Sequence, residues 1–182
     1  MGTELLFPAA GQNPEVGRAL IADNTVNVQS ANLVGQAGAT GIRIYNDNLA
    51  LPNPNHVNVD ILNNTITFSG GNFIPTGSPN DGSSSAIFVQ ANTGTATRPV
   101  CVGIEGNRST TPNPLNAHFR FLNVPGGVAL FNATPNPITS NLQLGTFLTG
   151  PAGNTTSGGG ATVAFSNNPT IPAINSTICP NY

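Results

Sequence analysis

The sequence predicts an all-β chain wound as a stacked solenoid, and three observations predict it. In residues 56–69, HVNVDILNNTITFS, Val57, Val59 and Ile61 alternate with polar residues. The alternation breaks at Asn63-Asn64 and resumes with Ile66 and Phe68. A period of two is that of a strand with one buried face. The block then recurs: residues 19–25 align with 59–65, and 57–61 align with 100–104, which puts Asn24, Asn64 and Asn107 in one column. A second block, Ile42-Arg-Ile-Tyr45, Ile87-Phe-Val-Gln90 and Val128-Ala-Leu-Phe131, alternates with the first at a nearly equal period. Two interleaved blocks at one spacing read as a parallel β-helix of about three coils, spanning residues 16–132, each coil burying its Ile, Val and Leu on the next.

The best-defined coil sets the expected elements. A first strand runs over 42–46, and a loop over 47–55 carries two Asn-Pro pairs. A second strand follows over 56–62, a corner at Asn63-Asn64, and a third strand over 65–68. A Gly/Pro/Ser/Asn-rich loop then returns to the next coil. Corner asparagines at Asn24, Asn64 and Asn107 can stack, their amides hydrogen-bonding along the axis, which accounts for the column without a ligand. Residues 117–122, AHFRFL, read as another alternating strand, and Val128 to Phe131 as the third copy of the first strand.

Beyond residue 132 the repeat dissolves. Asn136-Pro137 reads as an N-cap followed by the first helical position, and Gly150-Pro151 as a stop. The helix between them would place Ile138, Leu142 and Phe147 on an apolar face over the end of the last coil. Residues 153–160 read as a flexible Gly-rich linker and 161–166 as a final short strand. At the other end three readings stay open: residues 1–15 cap it through Leu5-Leu6-Phe7, upstream coils of a longer protein precede it, or subunits stack end to end there.

Composition bounds the functions. Only 7% of the 182 residues are charged, and there is no Lys and no Trp. A typical chain is about a quarter charged, so the polar surface here is built from amides and hydroxyls. A net charge of −2 excludes a basic nucleic-acid-binding face. No apolar run has the length of a membrane span. The first eighteen residues lack the basic region of a signal peptide, and Met1-Gly2 reads as a start placed before a segment of a longer protein. Cys101 lies between inward Val100 and Val102, so its side chain should point outward. A bridge to Cys179 would pin the C-terminal tail across that sheet in an oxidising compartment; the alternative is two unrelated buried thiols.

The coil GIRIYND…HVNVDILNNTITFSG resembles the right-handed parallel β-helix repeats of bacterial secreted and surface proteins of the adhesin or autotransporter kind, over residues 16–132. The tail resembles the C-terminal portion of such proteins, where a short helix, a Gly-rich stretch, an alternating strand and a terminal Cys (here Cys179) follow the last coil. The resemblance implies a right-handed helix, a location outside the cell and a non-catalytic structural or adhesive role. The same fold carries pectinases, polysaccharide lyases and phage tailspikes, so fold alone does not settle function.

No catalytic constellation is legible. The acids are Glu4, Glu15, Asp23, Asp47, Asp60, Asp81 and Glu105, and none pairs with another by column. Glycosidic chemistry needs two carboxylates about one cleft. A lyase needs a basic residue and a calcium site of several acids. His56 and His118 have no ligand at metal spacing, so neither a metal nor a cofactor is implied. Two non-catalytic surfaces remain. Tyr45, Phe88, Gln90 and Phe131 sit at outward or corner positions of stacked first strands and would suit a cell-surface glycan, unless loops or the tail cover them as satellite core. The coil ends carry unpaired backbone and would suit a second copy of the chain.

Overall fold

The chain forms a parallel β-helix. The computed structural model describes residues 3–5, 17–30, 40–46, 57–70, 84–91, 100–112, 117–122, 127–165, 170–175, 179 and 182. His56, the loop over 47–55 and most of the expected N-terminal cap lie outside these residues.

Three parallel sheets run along the axis. The first holds β1 (Thr3–Leu5), β4 (Thr40–Asn46), β7 (Ser85–Ala91), β10 (Ala117–Leu122) and β13 (Ala161–Phe165), in that order. The second holds β2 (Gly17–Ala22), β5 (Val57–Leu62), β8 (Val100–Glu105) and β11 (Val128–Leu130). The third holds β3 (Thr25–Ser30), β6 (Thr65–Gly70), β9 (Arg108–Thr111) and β12 (Thr155–Gly158). Three predicted coils are thus present, and a further pass through β10, β11, β12 and β13 continues all three sheets. Residues 153–160, expected as a flexible linker, contain β12.

The register stacks like on like. Ile42 lies beside Ile87, Ile87 beside Phe119, and Phe119 beside Val163. Val59 lies beside Val102 and Ile61 beside Ile104. Ile44, Val59, Ile61, Ile66, Val89, Val102, Phe119 and Phe121 are all fully buried. Each such side chain stabilises the fold by roughly 1.5–3 kcal/mol through burial, so the interior column holds the coils together.

One assignment is corrected. Val128–Leu130 pairs with Val100–Val102, so it is a copy of the second strand. The third full copy of the first strand is Ala117–Leu122, paired with β7 on one side and β13 on the other. The misreading has a simple cause. Both sheets bury a branched residue at every second position, and only hydrogen-bond pairing separates them.

A helix and a short tail segment pack at the C-terminal end. Helix α1 (Asn141–Thr149) begins four residues later than Pro137. The Asn136–Pro137 bond is cis, and Pro137 precedes the helix. Ser140 is the N-cap, its Oγ accepting from Gln143 N at 3.2 Å, while Gln143 Oε1 accepts from Thr139 N at 2.7 Å. This Ser-x-x-Gln exchange is a capping box displaced by one residue. Leu144, Phe147 and Leu148 turn into the core, and Leu142, expected on the apolar face, is 81% exposed. Ile138 is buried but outside the helix, bridged to Ile171. Residues 172–174 lie along β11: Leu130 N donates to Pro172 O and Ile174 N to Leu130 O.

Candidate functional site

Two constructions stand out, a spine of asparagines at one corner and a polar cleft on the outer face of the second sheet. The spine is built first by backbone conformation. Asp23, Asn63, Gly106 and Gly153 all have φ between 55° and 67°. Each precedes an asparagine: Asn24, Asn64, Asn107 and Asn154. Asp, Asn and Gly are the residues that tolerate this left-handed region. At Gly106 the need is double, because a Cβ would also lie 2.3 Å from Asn63 Oδ1.

The turn aims each amide along the axis. Asn24 donates its backbone N–H and Nδ2 to Asn64 Oδ1, at 3.0 and 2.9 Å. Asn64 does the same to Asn107 Oδ1, and Asn107 to Asn154 Oδ1, at 2.9 and 3.0 Å each. The predicted column Asn24, Asn64, Asn107 is therefore a ladder, with Asn154 as a fourth rung. Its signal was present in the sequence: Gly153-Asn154-Thr155 matches Asn63-Asn64-Thr65, but the surrounding glycines disguised it. Asn64, Asn107 and Asn154 are buried, whereas Asn24 is exposed.

The ladder has a direction and two unlike ends. Asn154 Nδ2 donates to Leu148 O at 2.8 Å, so the last rung is tied to α1. At the other end Asn24 Oδ1 meets no donor among the described residues. There β2 and β3 each have one strand neighbour. The inward residues Ala19, Ile21, Val26 and Val28 are only partly buried.

The cleft lies on the outer face of the second sheet, where Arg18, Asn58, Cys101 and Ala129 form one row and Leu20, Asp60 and Gly103 the next. The predicted Cys101–Cys179 disulfide is formed, with Cα atoms 6.1 Å apart. It draws the tail down into a small buried cluster with Ala129, flanked by Ile174 and Tyr182. The Tyr182 hydroxyl donates to Asp60 Oδ1, and Arg18 Nη2 donates to Asp60 Oδ2 at 2.9 Å. Arg18 also sits over the Tyr182 ring, 5.5 Å from its centroid. Gly103 leaves the necessary room, since a Cβ there would come within 2.6 Å of the Tyr182 hydroxyl and 2.8 Å of Asp60 Oδ1. Burial, the hydrogen bond to Asp60 and the charges of Asp60 and Glu105 push the Tyr182 phenol far above its usual range, opposed in part by Arg18. Beside Tyr182 opens a cleft of about 310 Å³.

The structure redistributes the predicted ligand-binding residues. Tyr45, Phe88 and Gln90 come together on the outer face of the first sheet around Arg43. That guanidinium lies 4.9 Å from the Tyr45 centroid and 5.3 Å from that of Phe88, and Nη2 donates to Gln90 Oε1 at 3.0 Å. Phe131 does not join them. Its strand belongs to the second sheet, so it stands in the cleft, 5.5 Å from the Tyr182 ring. Among the described residues no acid pairs with another by column. Asp60 pairs with Gly103, and Glu105 is the next outward residue on that strand, so both line the cleft.

A further buried polar pair lies beside the third sheet. Ser109 Oγ and His118 Nδ1 lie 2.7 Å apart, both buried at the corner between third and first sheets. Burial lowers the His118 pKa below its usual 6.5. No set of three or more His, Cys, Asp or Glu among the described residues could hold a metal ion. Comparison with family models, with curated proteins and with solved structures finds no match for this chain.

Proposed function

We propose that this chain is a non-catalytic structural or adhesive β-solenoid element of a secreted or cell-surface bacterial protein, and that its open coil edge is the surface through which it assembles. The observation that carries this reading is the inequality of the ends. At one end α1 packs on β13 and residues 172–174 line β11, leaving the edge of β12. The other offers the edges of β1, β2 and β3, half-covered apolar side chains and an Asn24 acceptor that meets no donor among the described residues. Unpaired parallel edges are templates for another strand. A disulfide between Cys101 and Cys179 supports an oxidising compartment. No helix among the described residues is long and apolar enough to cross a membrane.

The half-covered apolar side chains at the β2–β3 end favour association of that end with its counterpart in a second copy, which gives pairs. Sedimentation velocity over a wide concentration range tests this. The expected result is a monomer–dimer equilibrium, abolished by Ile21→Lys with the β circular dichroism retained. A monomer at every concentration would remove assembly through this edge.

A glycan-binding reading is favoured by one observation, the half-buried Tyr45, Phe88 and Gln90 gathered about Arg43. Binding of oligosaccharides that survives Tyr45→Ala and Phe88→Ala would exclude that face.

A further inference from the structure

We infer that the cleft beside Tyr182 is a binding site for a primary alkylammonium group, the chemistry of a lysyl side chain or of a free amine. The inference rests on which groups in the cleft are already engaged. Asp60 has both oxygens occupied, one by Tyr182 and one by Arg18. The Tyr182 hydroxyl donates its proton to Asp60, and Arg18 directs Nε and Nη2 to the same carboxylate. These three form an internally neutral set. What else lines the cleft is the Glu105 carboxylate, the Leu62 side chain and the Phe131 ring, which is in contact with Tyr182 and partly exposed. Glu105 makes no side-chain hydrogen bond or ion pair among the described residues, and Phe131 is 38% exposed.

Acceptor, negative charge, ring face and hydrocarbon wall define the ligand by complement. An ammonium group supplies N–H donors and positive charge to Glu105, while its alkyl stem lies on Phe131 and Leu62. Aromatic faces attract cations, and Arg18 over Tyr182 shows the same attraction operating within this site. A neutral sugar would bring no positive charge to Glu105. An anion would face Glu105. The volume of about 310 Å³ suits one short chain and excludes a folded segment.

The test is an NMR titration of the full, oxidised chain, reading the backbone amides of Gly103, Glu105 and Phe131. The probe is n-butylammonium, with n-butanol, butyrate and galactose as controls of matched size or alternative chemistry. Saturable shifts with butylammonium alone are expected. Glu105→Gln should weaken binding by about tenfold or more, and Phe131→Leu, which keeps apolar bulk but not the ring, by about threefold. Thermal unfolding of each variant verifies the fold. Nα-acetyl-lysine methylamide, run as a second probe, separates the sources. Tighter binding than butylammonium assigns the site to a polypeptide lysine, and equal binding assigns it to a free amine. No saturable shift, equal shifts from butanol or galactose, or unchanged binding in Glu105→Gln overturns the inference.

Discussion

The hydroxyl of Tyr182 donates to Asp60 across 122 residues of sequence. Together with the disulfide at Cys179 it fastens the tail to the outer face of a sheet formed much earlier in the chain. Removing the hydroxyl in Tyr182→Phe should cost about 1 kcal/mol, read by urea denaturation. Gly103→Ala should reach a similar loss by another route, because its Cβ displaces the hydroxyl from Asp60. A double variant no worse than either single one would identify the shared contact.

The Tyr182 phenol is held neutral well above its usual range, by burial first and by Asp60 second. Its contribution to stability is therefore full below pH 10 and is lost as pH rises beyond the unfolded pKa. Unfolding followed through the alkaline range should show a decline that Tyr182→Phe removes.

The disulfide closes a long loop, with its cysteines 78 residues apart. Constraining that loop in the unfolded chain should contribute about 3–4 kcal/mol. The double variant Cys101→Ser, Cys179→Ser should unfold at correspondingly lower urea, while the far-ultraviolet spectrum of the three sheets is unchanged.

Asn58 lies in the same outer row as Cys101, wholly buried, and neither atom of its amide has a hydrogen-bond partner among the described residues. A buried polar group left unpaired costs about 1–3 kcal/mol. Asn58→Leu should therefore stabilise the protein, with a rise in the urea midpoint of the oxidised chain as the measurement. Asn107→Ala should do the opposite, by roughly 3 kcal/mol or more, because it orphans the buried backbone N–H of Asn64 and removes the Nδ2 donor to Ile61 O and Asn154 Oδ1. The exposed Asn24→Ala should cost far less.

Burial lowers the pKa of His118. Sign follows directly: the unfolded chain takes up a proton as pH falls below 6.5 while the folded chain resists. Stability is full above that pH and declines beneath it. Thermal midpoints between pH 4 and 8 should fall on the acid side, and His118→Asn, which keeps an acceptor for Ser109, should flatten the fall.

The corners were the most legible part of this chain, because backbone conformation and side-chain chemistry speak together there. Asn63-Asn64 needs a left-handed residue and then a ladder amide, and sequence carries both. Strand identity was legible only while coils kept one length. Ala117 lies 32 residues after its partner Ser85 and Val128 only 28 after Val100, against 43 from Val57 to Val100. An assumed constant period therefore moved Phe131 to the wrong sheet. The cleft was illegible for a different reason. Arg18, Asp60, Glu105 and Tyr182 converge through strand pairing and a disulfide, and no local spacing announces either. Ser140, by contrast, was readable: Ser-x-x-Gln marks the helix start better than the proline that precedes it.

Successive rungs of the ladder are separated by 40, 43 and 47 residues. The longest interval contains a whole helix, yet it closes on the same left-handed corner as the shortest. The corner acts as a clasp, and the chain between two clasps can change length without altering the pitch of the stack. Evolution can therefore lengthen, shorten or replace the connections of this protein independently of its scaffold. A single residue gained or lost at a clasp would shift every amide beyond it out of line.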